Sequence, residues 1–191
     1  MMGTDERLGR VLIPALQDIG ARREVLPYGR YQATFDEIKL HYNLGSDPER
    51  NAIWKEFEKH FNMTKMVFGK IAAIWIGGSF ITSEQDPHDI DIVYLMTEAM
   101  YKQACGTKEG RFLINLLTNM RSVVPGTRNK VDAYLLPVLP TEVEIEATQC
   151  QYLLYRGYWD QFWSKARFDA NSARWQYPAA GYLEVIVDGY E

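Results

Sequence analysis

Apolar and polar positions along the chain divide it into segments of distinct period. Thr34 followed three residues later by Glu37 has the form of a capping box, with Phe35, Ile38 and Leu40 beyond it, so a helix is expected to start there. Gly45-Ser46-Asp47-Pro48 reads as a turn into a second helix, in which Ile53, Trp54, Phe57, Phe61 and Met66 recur at helical spacing over residues 49–68. The apolar run Ile71-Ala72-Ala73-Ile74-Trp75-Ile76 stops at Gly77-Gly78, as a buried strand does at a glycine turn. Residues 80–88 are polar and contain Pro87, which marks a loop. Residues 89–96 open on alternating acidic and apolar positions and read as a second strand. One or two helices, interrupted near Gly106 and Gly110, occupy 97–121, and Pro125-Gly126 is a turn. A third strand runs from Lys130 to Val138, closed by Pro137 and Pro140. Residues 142–168 read as largely helical and very aromatic, and Gly181 to Asp188 as a last strand or extended tail. Residues 1–30 are mixed, with turn signals at Pro14, Gly20, Pro27 and Gly29.

Strands separated by helical stretches predict an α+β (mixed α/β) fold, a small mixed sheet with flanking helices. The length of 191 residues suits a single domain, 1–191. Its core is expected at about 34–140, with residues 141–191 as an aromatic-rich C-terminal extension packed on it. The net charge of −4 provides no global basic field, so attraction for phosphate has to be local or supplied by cations. Cys105 and Cys150 lack metal-binding or disulfide-framework spacing, which points to reduced thiols in the cytoplasm. No apolar stretch is long enough to span a bilayer, and no signal-peptide pattern follows the N-terminus, so no membrane association is expected.

The chemistry concentrates around Asp89-Ile90-Asp91. In a strand these two aspartates share one face while Ile90 and Ile92 point to the other. Two carboxylates side by side repel and raise each other's pKa unless a cation lies between them. Hard oxygen ligands in this arrangement suit Mg²⁺, which takes one or two carboxylates plus substrate phosphates. Taken alone, such a pair is better explained by two solvated acids. Ten residues upstream, Gly77-Gly78-Ser79 follows a predicted strand. Its glycines permit close backbone approach, its N–H groups can form an anion-binding concavity, and Ser79 adds a hydroxyl. Asp132 lies opposite in phase to Val131, Ala133 and Leu135, and a third strand beside the second would bring it near Asp89 and Asp91.

A glycine-serine turn, an Asp-apolar-Asp pair and a later strand acid together resemble the DNA polymerase beta-type nucleotidyltransferase superfamily. The stretches from Trp75 to Phe80 and from Pro87 to Asp91 are especially similar to an uncharacterised bacterial and phage family described only as nucleotidyltransferase-like. The resemblance covers residues 70–138. It implies a nucleotidyltransferase-like fold and a metal-dependent transfer of a nucleoside monophosphate from NTP to a protein, tRNA or small-molecule acceptor. Asp89, Asp91 and Asp132 would be the catalytic metal ligands, with two Mg²⁺ ions, or Mn²⁺ in their place. Gly77, Gly78 and Ser79 would hold phosphates. Small members of the superfamily often act in toxin–antitoxin or phage-defence systems, which implies a cognate partner protein. Many members carry a basic residue after the glycine-serine pair, where this chain has Phe80; Lys130 or Arg128 would then take over the triphosphate contact.

His88 precedes Asp89 in a loop, where exposure is the simpler reading, and His41 and His60 have no metal spacing and read as structural. Tyr152 to Phe168 interleaves Tyr155, Tyr158, Trp159, Phe162 and Trp163 with Arg156, Lys165 and Arg167. That pattern suits base stacking, but a core helix with solvated cations explains it more simply. Two readings compete with an active transferase. One is a catalytically inactive binding module of the same fold. The other is a glycosyltransferase holding a sugar nucleotide through its DxD, against which the glycine turn and the third acid argue.

Overall fold

The computed structural model describes residues 13–118, 130–138, 150–167 and 175–190. They form β1 (Gly29–Gln32), α1 (Phe35–His41), α2 (Pro48–Phe68), β2 (Ala73–Gly77), a 3-10 turn (Ser79–Ile81), β3 (Ile90–Thr97), α3 (Glu98–Cys105), α4 (Lys108–Thr118), β4 (Val131–Val138), α5 (Cys150–Trp163), β5 (Ala166–Arg167), β6 (Trp175–Gln176) and β7 (Gly181–Ile186). The fold is α+β: a mixed sheet in the order β1-β7-β2-β3-β4 and a small β5-β6 ribbon. The β1–β7 and β3–β4 pairs are parallel, and β2 runs antiparallel to both β7 and β3. No helix among the described residues is long and apolar enough to cross a membrane.

Local chemistry sets the helix starts. Thr34 Oγ1 accepts from Glu37 N–H at 3.2 Å, and Glu37 Oε2 accepts from Thr34 N–H at 2.7 Å, completing the capping box. Asp47 caps α2, Pro48 occupies its first turn, and Gly69 ends it at φ 78°. On α2, Ile53, Trp54, Phe57 and Phe68 face the sheet. Leu40 and Met66, which belong to the apolar pattern of their segments, face solvent instead.

Both faces of the sheet are covered. On the α2 side, His60 is fully buried, and its Nδ1 lies 2.8 Å from the Tyr94 hydroxyl. On the opposite side α5 lays Trp159 against Tyr134, with ring centroids 4.5 Å apart, and Trp163 against Tyr182, 5.5 Å apart. Asp160 of the same helix accepts a hydrogen bond from the Tyr182 hydroxyl.

Two expectations change. The C-terminal part is no extension packed on a core at 34–140, because β7 is an interior strand that bonds to β1 on one side and β2 on the other. β1 itself begins at the end of the stretch read as mixed with turn signals, and runs two residues past it. Its Gly-Arg-Tyr-Gln sequence lies on an edge, alternating between half-buried and exposed, and carries no run of apolar residues to reveal it. The helical reading of 142–149 lies outside the described residues.

One buried cation links α2 to the glycine turn. Arg50 is 7% exposed and donates to Phe80 O at 3.2 Å, Thr82 O at 2.8 Å, Glu84 O at 2.5 Å and Asp47 Oδ2 at 2.8 Å. Arg50→Met retains much of the volume and leaves three carbonyls without their donor. It is expected to cost about 2–3 kcal/mol, read as a lower urea midpoint at unchanged m-value; an unchanged midpoint would show that the loop does not depend on this clamp.

Candidate functional site

The site begins with strand register. In the parallel β3–β4 pair Asp91 lies directly opposite Asp132, and in the antiparallel β2–β3 pair it lies opposite Gly77. Residues directly across a sheet point to the same face, about 4.8 Å apart. Asp91 and Asp132 are therefore neighbours on the α5 face of the sheet. Ile90, Ile92, Val131 and Ala133, their strand neighbours, are buried and hold the two strands in this phase. Asp89 immediately precedes β3 and is half-buried.

The glycines are required by close packing. Gly78 has φ 73°, and a Cβ there would collide with the Asp91 carboxylate. A Cβ at Gly77 would lie 2.7 Å from Cδ2 of Trp163. The turn thus presses its backbone on the acid on one side and receives the aromatic helix on the other. Ser79 opens the 3-10 turn, and its carbonyl accepts the Thr82 hydroxyl at 2.8 Å.

Electrostatics couple the three acids. Burial, then the charges of Asp89 and Asp132, push the Asp91 carboxyl up to about 7. Burial and Asp132 also raise Asp89, while His88 and Lys130 oppose them. The Tyr134 hydroxyl donates to Asp132 Oδ2 at 2.8 Å, and burial together with this bond holds the phenol well above its ordinary range.

Among the described residues no three His, Cys, Asp or Glu side chains close into a ready-made metal cage. What the strands supply is an adjacent pair, Asp91 and Asp132, coupled to Asp89. Excess negative charge on hard oxygen donors fits Mg²⁺, which keeps waters and takes substrate phosphates instead of an all-protein cage.

A cleft of about 290 Å³ opens beside Gly78, Ser79 and Asp91. Its other walls come from Arg22 and Arg23 of the N-terminal segment, from Phe162, Trp163, Lys165 and Arg167 at the end of α5 and in β5, and from Trp175 of β6. Lys130 does not line this cleft. It borders a separate depression with Lys55 and Lys59 of α2, while remaining close enough to Asp89 to favour its charged form. Arg128, the other cation expected at the triphosphate, lies outside the described residues.

The sequence reading missed Arg22, Arg23 and Arg50. Nothing in their local pattern separates them from solvated arginines, because each acquires its place through a contact 30 or more residues away. Of the cations interleaved with the aromatics of residues 152–168, Lys165 and Arg167 reach the cleft. His60 is confirmed as a buried core group, and burial lowers its pKa to about 4.

The fold and site define an α+β protein in which Asp91, with Asp132 beside it on the next strand, adjoins a glycine turn that lines a basic, aromatic cleft. The chain belongs to a family of unknown function, DUF6932, whose profile matches residues 20–186. Comparison with curated proteins and with solved structures yields no match.

The raised Asp91 pKa sets a pH dependence. Between about pH 4 and about pH 7 the folded protein holds a proton on Asp91 that the unfolded chain has released, so stability without divalent cations falls as pH rises through that window. Asp91→Asn is expected to flatten the decline in urea midpoint from pH 4.5 to 7.5 (about the span of the shift). An equally steep decline in the variant would assign it to another group.

Proposed function

We propose that this chain is a metal-dependent nucleotidyltransferase that moves a nucleoside monophosphate from NTP to a hydroxyl-bearing acceptor. The observation that carries the reading is the register of Asp91 against Asp132, beside a glycine turn too tight for any side chain. Resemblance of Gly78-Ser79, Asp89-Ile90-Asp91 and Asp132 to the polymerase beta-type superfamily supports it.

In the proposed reaction an acceptor oxygen forms a bond to the α-phosphorus and the α–β bridging P–O bond breaks, releasing pyrophosphate. Asp89 and Asp91 would hold divalent ions, and Asp132 would serve the nucleophile's side, as an ion ligand or as the base that takes the hydroxyl proton. Its hydrogen bond from Tyr134 fixes the direction in which that carboxylate faces. Two Mg²⁺ ions, when bound, would acidify the acceptor hydroxyl and neutralise the departing pyrophosphate. Backbone N–H of Gly78 and the Ser79 hydroxyl would hold terminal phosphates. Trp163 packs its ring on Gly77 and forms part of the cleft wall. Such catalysis is mainly positioning and charge neutralisation, which an acidic protein can perform.

The acceptor is a protein, a tRNA end or a small molecule, and a cytoplasmic setting with a cognate partner, as in toxin–antitoxin or phage-defence pairs, fits the reading. Incubation with α-³²P-labelled NTPs, Mg²⁺ and cell lysate is expected to label an acceptor, and Asp89→Ala/Asp91→Ala to abolish labelling while the variant remains folded by circular dichroism. Labelling that persists in the folded variant would remove these acids from the chemistry. No labelling, with NTP binding that survives the double change, would favour an inactive binding module.

A further inference from the structure

The cleft carries a charge opposite to that of the protein as a whole. The chain has a net charge of −4, yet among the described residues Arg22, Arg23, Lys165 and Arg167 line this cavity together with one acid, Asp91. Concentrating cations in a partly buried cavity costs repulsion unless an anion is to be received there. Arg23 shows that repulsion: burial, together with the neighbouring charges of Arg22 and Arg167, lowers its pKa, while Glu84 opposes them.

Each cation has a partner in the surrounding structure. Glu84 pairs with Arg23 and, at 3.9 Å, with Arg22. Glu84 belongs to the loop after the glycine turn, and Arg50 holds its carbonyl at 2.5 Å. Two further bonds tie that loop to the N-terminal segment, Ser83 N–H to Glu24 O at 3.1 Å and Glu24 N–H to Ser83 Oγ at 2.9 Å. Arg22 N–H donates to Arg167 O at 3.0 Å, which joins the N-terminal segment to β5. The Arg167 guanidinium lies 4.3 Å from the centre of the Trp175 ring, and Lys165 Nζ lies 5.9 Å from that of Phe162. The segment before β1 and the segment around β5 therefore meet across the cleft and bring four cations to its walls.

We infer that Arg22, Arg23, Lys165 and Arg167 form the seat for the polyphosphate chain of a nucleoside triphosphate, supplying from the two ends of the fold the positive charge that Phe80 cannot supply at the glycine turn. The assignment of this anion as an NTP rests on the transferase reading above; the basic wall itself rests on geometry. A volume of about 290 Å³ matches the small end of ligand sites (about 300–1,000 Å³), enough for a phosphate chain and too small for a macromolecular acceptor. Guanidinium groups suit it because each can donate two parallel bonds to one phosphate. Lys130, bordering the other depression, has no part in this seat.

Calorimetric titration of the full chain with tripolyphosphate and with ATP, in EDTA, tests the seat without metal or turnover. Both are expected to bind, and Arg22→Ala/Lys165→Ala to weaken both by about tenfold or more. The control Lys55→Ala/Lys59→Ala removes the same charge outside the cleft and is expected to leave both affinities unchanged. Arg22→Lys/Lys165→Arg keeps the charge and is expected to recover most of the loss, which a folding defect would not. Equal weakening by the control pair, undiminished binding in Arg22→Ala/Lys165→Ala, or no binding by the wild-type chain would overturn the seat. Tighter cleft-dependent binding of a short oligonucleotide without a triphosphate would overturn the NTP assignment. Arginine-dependent tripolyphosphate binding without label transfer would refute the transferase and keep the anion seat; label transfer with an unchanged KM for NTP in Arg22→Ala/Lys165→Ala would do the reverse.

Discussion

The parallel pairing of β3 with β4 is the constraint on which the site depends. It sets Asp91 opposite Asp132, and a slip of one residue would turn one of the two acids to the far face of the sheet. Ile90, Ile92, Val131 and Ala133 hold the phase because they are buried on the other side of those strands. Hydrophobic burial thus places two like charges side by side, an arrangement that costs free energy in the protein alone. Gly78 tightens the same corner from β2, since its backbone occupies space that any Cβ would contest with the Asp91 carboxylate.

Around this corner the fold is closed by elements distant in sequence. β7 enters the sheet between β1 and β2, and α5 covers the acid-bearing face with Trp159 and Trp163. Arg50 reaches from the first turn of α2 to three carbonyls of the loop that follows the glycine turn. Through Glu84 that loop also positions Arg22 and Arg23. The same few residues therefore connect the acids, the glycine turn and the basic wall, which makes the cleft a property of the whole domain.

Much of this was legible in the chain. Apolar runs ending at Gly77 and alternation through Asp91 and Asp132 identified β2, β3 and β4, because burial of one strand face leaves a period in the sequence. Thr34, Glu37, Asp47 and Pro48 marked the helix starts, because capping is a local interaction. What stayed hidden is non-local. β1 has no apolar pattern of its own, and the position of β7 within the sheet depends on pairing across more than 100 residues. Arg22 and Arg23 look like any exposed basic pair until Glu84 and Arg167 come beside them. Lys165 and Arg167 lay in a segment whose aromatic period explains itself as core packing, and Trp159 and Trp163 do pack that way while Phe162 and Trp175 border the cleft.

In the proposed function Asp89 and Asp91 hold divalent ions against a nucleotide at the glycine turn, with Asp132 on the nucleophile's side. A crystal structure of the full chain with Mn²⁺ and a non-hydrolysable NTP analogue tests it most directly, because anomalous scattering locates the ion independently of the protein density. The expected result is an anomalous peak at the Asp89 and Asp91 carboxylates, with the analogue's phosphates running along Gly78 and Ser79 toward Arg22 and Arg23. Bound analogue with no ion at these carboxylates, or an ion and analogue seated elsewhere on the protein, would contradict it.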